Sequence, residues 1–119
     1  MEWTSYNEQI GEITTAELVN LKLLSMDEVK NQSPSYPAYK KYFMHGTSHH
    51  LGLDVHDFAD RYAHFAIGNV LTCEPGIYIP AEGFGIRLEN DVVITQDGQI
   101  DLMANTPIEA DEIEDLMNG

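Results

Sequence analysis

Apolar side chains recur at helical spacing over the first 25 residues of the chain. Neighbouring members of the set lie three or five positions apart, so most of them share one side of a helix. They are Ile10, Ile13, Leu18, Leu21 and Leu24. Thr14 could cap a helix start, with Glu17 reaching back to it. The pattern therefore allows one bent helix or two short ones.

The next stretch is marked by polar and small residues. Ser25, with Glu28 three positions later, predicts another helix start, and two prolines in residues 31–37 predict a loop after it. Residues 39–44 are aromatic and apolar, which predicts a short strand. Residues 45–57 contain two glycines and several other poor helix formers, so we expect irregular backbone there.

The second half of the chain has strand patterns. Residues 70–79 read as a strand that Pro75 breaks, which predicts a bulge or kink beside Glu74. Residues 85–95 read as a strand or hairpin pair with an irregularity at Asn90, and residues 96–98 as a turn. An amphipathic helix is predicted over residues 107–117. One α/β or α+β domain covers residues 1–119.

Composition narrows the class of protein. Twenty acidic side chains against six basic ones give a net charge of −14, which repels nucleic-acid phosphates and anionic membranes. A single cysteine permits no internal disulfide and favours a reducing compartment, so we expect a cytoplasmic protein. No apolar run approaches the length of a membrane span.

The histidines carry the clearest chemical signal. Four of the five lie within residues 45–56, and two glutamates follow in strand-like runs. Imidazole and carboxylate delivered from separated segments suit Zn, Mn or Co, so His49, Glu74 and Glu89 are candidate ligands. Both glutamates are expected in half-buried runs, where an unpaired carboxylate is costly. An ordinary exposed position is the alternative for either glutamate.

Neighbouring residues could assist such a site. His45 and His56 flank His49, which favours proton-transfer or substrate-orienting work over simple core packing. Arg87 and Glu89 share one strand face, so a guanidinium should lie beside that carboxylate. His50 and His64 are interpreted as surface or packing residues. Alternation turns Cys73 away from Glu74, so its thiol is expected in the core.

Three stretches together resemble a known family. HGTSHHLGLDVHD at residues 45–57, LTCEPGIYI at 71–79 and GFGIRLENDVVIT at 83–95 are similar to the C-terminal third of Xaa-Pro aminopeptidase (aminopeptidase P), one of the pita-bread metallopeptidases. The resemblance implies an α+β fold in which a curved antiparallel sheet has flanking helices. It also implies hydrolysis of the bond between an N-terminal residue and a following proline.

The resemblance also implies a set of roles. The centre would hold two ions, usually Mn²⁺, with Zn²⁺ or Co²⁺ as alternatives, bound by one His, two Glu and two Asp. By motif, His49 and Glu74 would bind one ion and Glu89 both, while His45 and His56 act on the substrate side and Arg87 orients acidic ligands or substrate. The partner would be a peptide with an Xaa-Pro N-terminus.

The family's two aspartates have no counterpart in residues 1–44. We therefore expect a partial catalytic domain that binds metal weakly or not at all, lacks appreciable peptidase activity, and self-associates as a homo-oligomer to cover exposed strand edges. Prolidase, or a non-catalytic peptide- or protein-binding module of the same fold, are the alternative functions.

Overall fold

The computed structural model describes residues 1–58, 60 and 62–119. A single helix, α1 (Trp3–Asn20), covers the first apolar pattern, and Thr14 lies inside it rather than at a start. Of the two predicted alternatives, one helix is therefore right. Beyond its end, Lys22 adopts a left-handed φ of 61°, and the N–H groups of Lys22 and the residue after it donate to carbonyls of the last helical turn.

The second helix is short, and its start follows the predicted capping pattern. α2 (Met26–Lys30) begins after Ser25, whose hydroxyl accepts the N–H of Glu28 at 3.2 Å. The Glu28 carboxylate in turn accepts the N–H of Ser25 at 2.8 Å. This reciprocal capping box satisfies two N–H groups that a helix start leaves without partners.

The strand predicted for residues 39–44 is wrong. A 3₁₀ turn (Ala38–Lys41) occupies the start of this stretch, and the N–H groups of Tyr42 and Phe43 both donate to the carbonyl of Tyr39. The Tyr39 ring lies against Gly11 of α1, and Phe43 is almost fully buried. Tyr39 therefore packs against a helix and Phe43 enters the core, and an apolar pattern in the sequence does not distinguish such packing from a strand.

In the described part of the chain, five short strands follow the histidine segment (residues 45–57), and they form two antiparallel sheets. The strands are β1 (Val70–Cys73), β2 (Gly76–Ile79), β3 (Phe84–Arg87), β4 (Asn90–Thr95) and β5 (Gly98–Asp101). One sheet has the order β1-β4-β5, and the other pairs β2 with β3. The predicted turn at residues 96–98 joins β4 to β5, whereas β5 itself was not predicted from the sequence.

The two sheets continue one another across a break at Pro75, which cannot donate a backbone hydrogen bond. Cys73 pairs with Asn90 on one side of the break, and Gly76 pairs with Arg87 on the other, in the same register. The unpaired residues between them therefore face each other, which places Glu74 opposite Glu89. The predicted interruption beside Glu74 is confirmed. On the other strand the break falls at residues 88–89, just before the predicted irregularity at Asn90.

The buried core is small and lies between α1, the 3₁₀ turn and β1. Its apolar members are Trp3, Leu18, Leu24, Phe43 and Leu71. A third helix, α3 (Ala110–Asn118), ends the chain and begins three residues later than predicted, with none of its residues buried. The elements confirm the α+β class with antiparallel sheets. None of the helices in the described residues has the length and apolar character needed to cross a membrane.

Candidate metal centre

The histidine segment runs antiparallel beside β1, and this pairing brings His49 to the two glutamates. The N–H of Thr72 donates to the carbonyl of His49 at 3.0 Å, and that of Glu74 donates to the carbonyl of Thr47 at 2.8 Å. The N–H of Leu51 donates to the carbonyl of Val70 at 3.0 Å. The backbone is non-helical as expected, but a strand-like ladder holds it in register.

His49, Glu74 and Glu89 converge on one point. One ligand atom from each lies within 4.8 Å of the others. The Nε2 atom of His49 is 3.3 Å from Oε1 of Glu74. Glu74 is buried with 8% exposure, as expected, whereas Glu89 is exposed, so the prediction of burial is wrong for Glu89. Glu89 follows β3 at the sheet break, where few side chains cover it.

Arg87 lies between the two carboxylates. Its Nη1 is 3.1 Å from Oε2 of Glu74, and its Nη2 is 3.6 Å from Oε2 of Glu89. The predicted placement of the guanidinium beside Glu89 is thus observed, and it also contacts Glu74. A planar guanidinium that contacts both carboxylates reduces their mutual repulsion and fixes how each one points.

Thr72 supports the cluster from below, and sequence reasoning missed it. The side chain is 2% exposed, and its hydroxyl accepts the backbone N–H of His49 at 3.0 Å. The same hydroxyl donates to Oε1 of Glu74 at 3.1 Å. A polar residue two positions before Glu74, on the same strand face, was the available signal.

A backbone carbonyl sets the orientation of the His49 ring. Nδ1 of His49 lies 3.0 Å from the carbonyl oxygen of His50, so an Nδ1–H donates there and leaves the Nε2 lone pair facing Glu74. This is the arrangement in which metal-binding histidines are usually held.

His56 stacks on His49. The two rings are nearly parallel, 13° apart, with centroids 4.0 Å from one another. Both histidines line an open cavity of about 530 Å³, whose far wall is formed by Trp3 and Asn7 of α1. The structure therefore brings His56 to the edge of the candidate centre.

His45 lies in a different contact. Its Nε2 is 2.9 Å from the hydroxyl of Tyr78, and its Nδ1 is 2.7 Å from the carbonyl oxygen of Gly46. With Nδ1–H donating, the Tyr78 hydroxyl donates to Nε2. Within the described residues, neither hydrogen bond connects His45 to His49, Glu74 or Glu89. The structure places His45 against Tyr78 instead, a residue that sequence reasoning did not single out.

The other two histidines and the cysteine occupy structural positions. The His50 ring packs edge-on against Trp3, and His64 is paired with Glu2 on the surface. Cys73 is half-buried, and burial raises the pKa of its thiol, with the charge of Asp101 adding to the effect. A thiol of this kind is a poor nucleophile.

Comparison with known proteins identifies the family to which this chain belongs. The sequence profile described as metallopeptidase family M24 matches residues 10–96. The chain belongs to that family. It is 38% identical to the Xaa-Pro aminopeptidase of Haemophilus influenzae, over 94% of this chain and 28% of that relative.

Solved structures of this family share the fold. An aminopeptidase P from Bacillus anthracis superposes with a TM-score of 0.82 and 32% identity, over 99% of this chain and 26% of that one. Zn-substituted Escherichia coli aminopeptidase P in complex with product gives a TM-score of 0.76 and 39% identity, over 93% and 28%. The chain therefore spans roughly a quarter of the length of the relatives it matches.

The M24 assignment implies a divalent metal, and the donor set fits one. A neutral Nε2 of His49 and an oxygen of Glu74 are both electron-rich, yet they face each other at 3.3 Å. Such a pair needs a cation between its atoms, either a proton or a metal ion. One imidazole nitrogen with two carboxylate oxygens is a ligand set that Zn²⁺ and Mn²⁺ accept.

Proposed function

We propose that this chain supplies part of the active site of a metal-dependent Xaa-Pro aminopeptidase, as a partial catalytic domain over residues 1–119. The parent enzyme would release the N-terminal residue from peptides with proline in second position. The observation that carries the proposal is the convergence of His49, Glu74 and Glu89, from three separate segments, to within 4.8 Å. The relatives named above, all similar over most of this chain, support the choice of substrate class.

Each residue would have a defined task. His49, Glu74 and Glu89 would hold the metal, Mn²⁺ by preference with Zn²⁺ or Co²⁺ as alternatives, and Arg87 would keep the two carboxylates aimed at it. When bound, the ion would activate water and polarise the scissile carbonyl.

The substrate-side histidines differ in their settings. His56 is exposed above the His49 ring, and its ring nitrogens have no hydrogen bond to the described residues. They could hydrogen-bond the peptide or move a proton. His45 would act on the substrate side through Nε2, the nitrogen that accepts from the Tyr78 hydroxyl. Once protonated there, it would donate to charge that develops at the substrate.

The 119-residue chain alone is proposed to be inactive and to bind metal weakly. The described cluster offers three protein ligands, whereas the family resemblance implies five. We also propose self-association and a cytoplasmic location. Self-association is supported by exposed apolar residues on β3 and beyond it, namely Phe84, Ile86 and Leu88.

The metal site is tested by adding Zn²⁺ to the chain and following histidine ring signals by NMR. We expect the His49 signals to respond first, and the response to weaken in Glu74→Gln. His64 provides the matched control because it pairs with Glu2 instead. A response that begins at His64, or that is unchanged in Glu74→Gln, would contradict the assignment.

Activity is tested with peptides. We expect no cleavage of an Xaa-Pro-Yaa peptide by the isolated chain with added Mn²⁺, and turnover at that site by the full-length parent. A chain that cleaves the peptide alone refutes the proposed inactivity. A parent that prefers an Xaa-Pro dipeptide would be a prolidase instead.

A further inference from the structure

The loop that carries His56 is held by hydrogen bonds that centre on Asp57. Residues 52–58 form no helix or strand, and most of them are exposed. The side chain of Asp57 is half-buried among them. An exposed loop without regular structure needs internal hydrogen bonds to hold a side chain in one place.

Asp57 provides three of those hydrogen bonds. Its Oδ2 accepts the N–H of Leu53 at 3.0 Å, and its Oδ1 accepts the N–H of Phe58 at 2.7 Å. Its own N–H donates to the carbonyl oxygen of His50 at 3.0 Å. The carboxylate thus closes the loop on both sides of His56, as aspartates do in tight turns.

The His50 carbonyl joins this loop to the metal cluster. It accepts from the backbone of Asp57 and also lies 3.0 Å from Nδ1 of His49. One oxygen therefore fixes both the start of the segment that carries His56 and the ring orientation of His49. The parallel stacking of the two rings at 4.0 Å is the geometric result.

Gly52 leaves room for the Asp57 carboxylate. A Cβ atom built at Gly52 would overlap Oδ2 of Asp57 and approach its Cγ to 2.9 Å. Any other residue at position 52 would therefore push the carboxylate away from the Leu53 N–H. Glycine is required here because of close approach, since its φ is unremarkable.

We infer that Asp57 is a positioning residue that sets His56 against the His49 ring. Gly52 is needed beside it because a side chain at that position would displace the Asp57 carboxylate. Its value for catalysis rests on the proposed function, whereas the contact itself does not. Asp57 does not bind metal or substrate in this proposal. It determines whether the substrate-side imidazole lies over the metal-binding imidazole.

The test is an NMR measurement on the 119-residue chain without metal, at one fixed pH. In the unchanged chain, ring protons of His56 lie over the face of His49, so they should be shifted upfield and show a cross-relaxation signal to that ring. We expect Asp57→Ala and Gly52→Ala to lose both signatures. Asp54→Asn, which removes the same charge from the same loop, should keep them.

Core signals from Trp3 and Phe43 report whether each variant is folded. If Asp57→Ala does not fold, Asp57→Ser, which retains one acceptor, should show a reduced upfield shift. Persistence of the full stacking signature in folded Asp57→Ala or Gly52→Ala refutes the inference, as does its loss in Asp54→Asn. Failure of the proposed function would appear differently, as an inactive parent enzyme whose ring signatures are intact.

Discussion

Replacing Thr72 by valine tests how the candidate centre is held together. Valine has nearly the same shape and an equal preference for strands, so the change removes the hydroxyl and little else. The backbone N–H of His49 loses its acceptor at 3.0 Å, and Oε1 of Glu74 loses its donor at 3.1 Å. Both groups then lie beside a new methyl group in a site where Thr72 is 2% exposed.

The expected loss of stability follows from those two hydrogen bonds. A hydrogen bond to a charged group contributes about 1.5–3 kcal/mol, and an unsatisfied N–H costs on the order of 1 kcal/mol. Thr72→Val should therefore lower the free energy of unfolding by about 2.5–4 kcal/mol. In a chain of this size, each kcal/mol shifts the Tm by roughly 4 °C, so the Tm should fall by about 10–16 °C.

Thr72→Ser is the matched control. Serine keeps the hydroxyl and loses one methyl group, which costs on the order of 1 kcal/mol. Urea denaturation followed through Trp3, the single tryptophan, compares both variants with the unchanged chain. If Thr72→Val is as stable as Thr72→Ser, the two hydrogen bonds do not support the site and the reasoning is refuted.

Three further changes test the local structure. Lys22→Gly should raise the free energy of unfolding by about 0.5–1 kcal/mol, because glycine adopts the φ of 61° without strain. Ser25→Ala should lower the Tm near pH 7, and the loss should shrink below pH 4, measured by thermal melts. The backbone N–H and hydroxyl of Ser25 lower the pKa of Glu28, so that stabilisation is present above the unfolded-state pKa and disappears as pH falls through the folded one. Gly85→Ala should cost about 1–3 kcal/mol, since a Cβ there would overlap the Tyr78 ring.

Each of these changes has a control. Lys22→Ala removes the same charge but keeps a Cβ, so it should give no gain. A Ser25→Ala penalty of constant size from pH 7 to pH 3 would contradict the capping account. Gly46→Ala should be tolerated, because the nearest atom to its Cβ would be the Ser48 carbonyl oxygen at 3.9 Å. Equal losses in Gly46→Ala and Gly85→Ala would remove the steric argument.

Local signals were strong enough to predict several elements. The capping pattern at Ser25, the break at Pro75 and the turn at residues 96–98 were all predicted, because each depends on residues within a few positions. The strand predicted for residues 39–44 was wrong because the deciding contact is not local. The Tyr39 ring packs against Gly11 of α1, a residue far away along the chain, and a local pattern carries no record of that contact.

The residues of the candidate site also fall into two groups: those that the sequence identifies and those that only the structure identifies. His49, Glu74, Glu89 and Arg87 could be named from motifs, since donor type and strand alternation are properties of the sequence alone. Thr72 and Asp57 could not, because hydroxyl and carboxylate groups are common and only their neighbours show what they hold.

The amino-acid sequence by itself determined the kinds of ligand available, the helical start of the chain, and the strand break beside Glu74. Only the tertiary structure decided that a carboxylate oxygen of Glu74 faces Nε2 of His49. The histidine segment pairs with β1, and one register continues across Pro75, so Glu74 meets both His49 and Glu89. Strand pairing joins residues that are distant along the chain, and its register is set by the balance of all those contacts together.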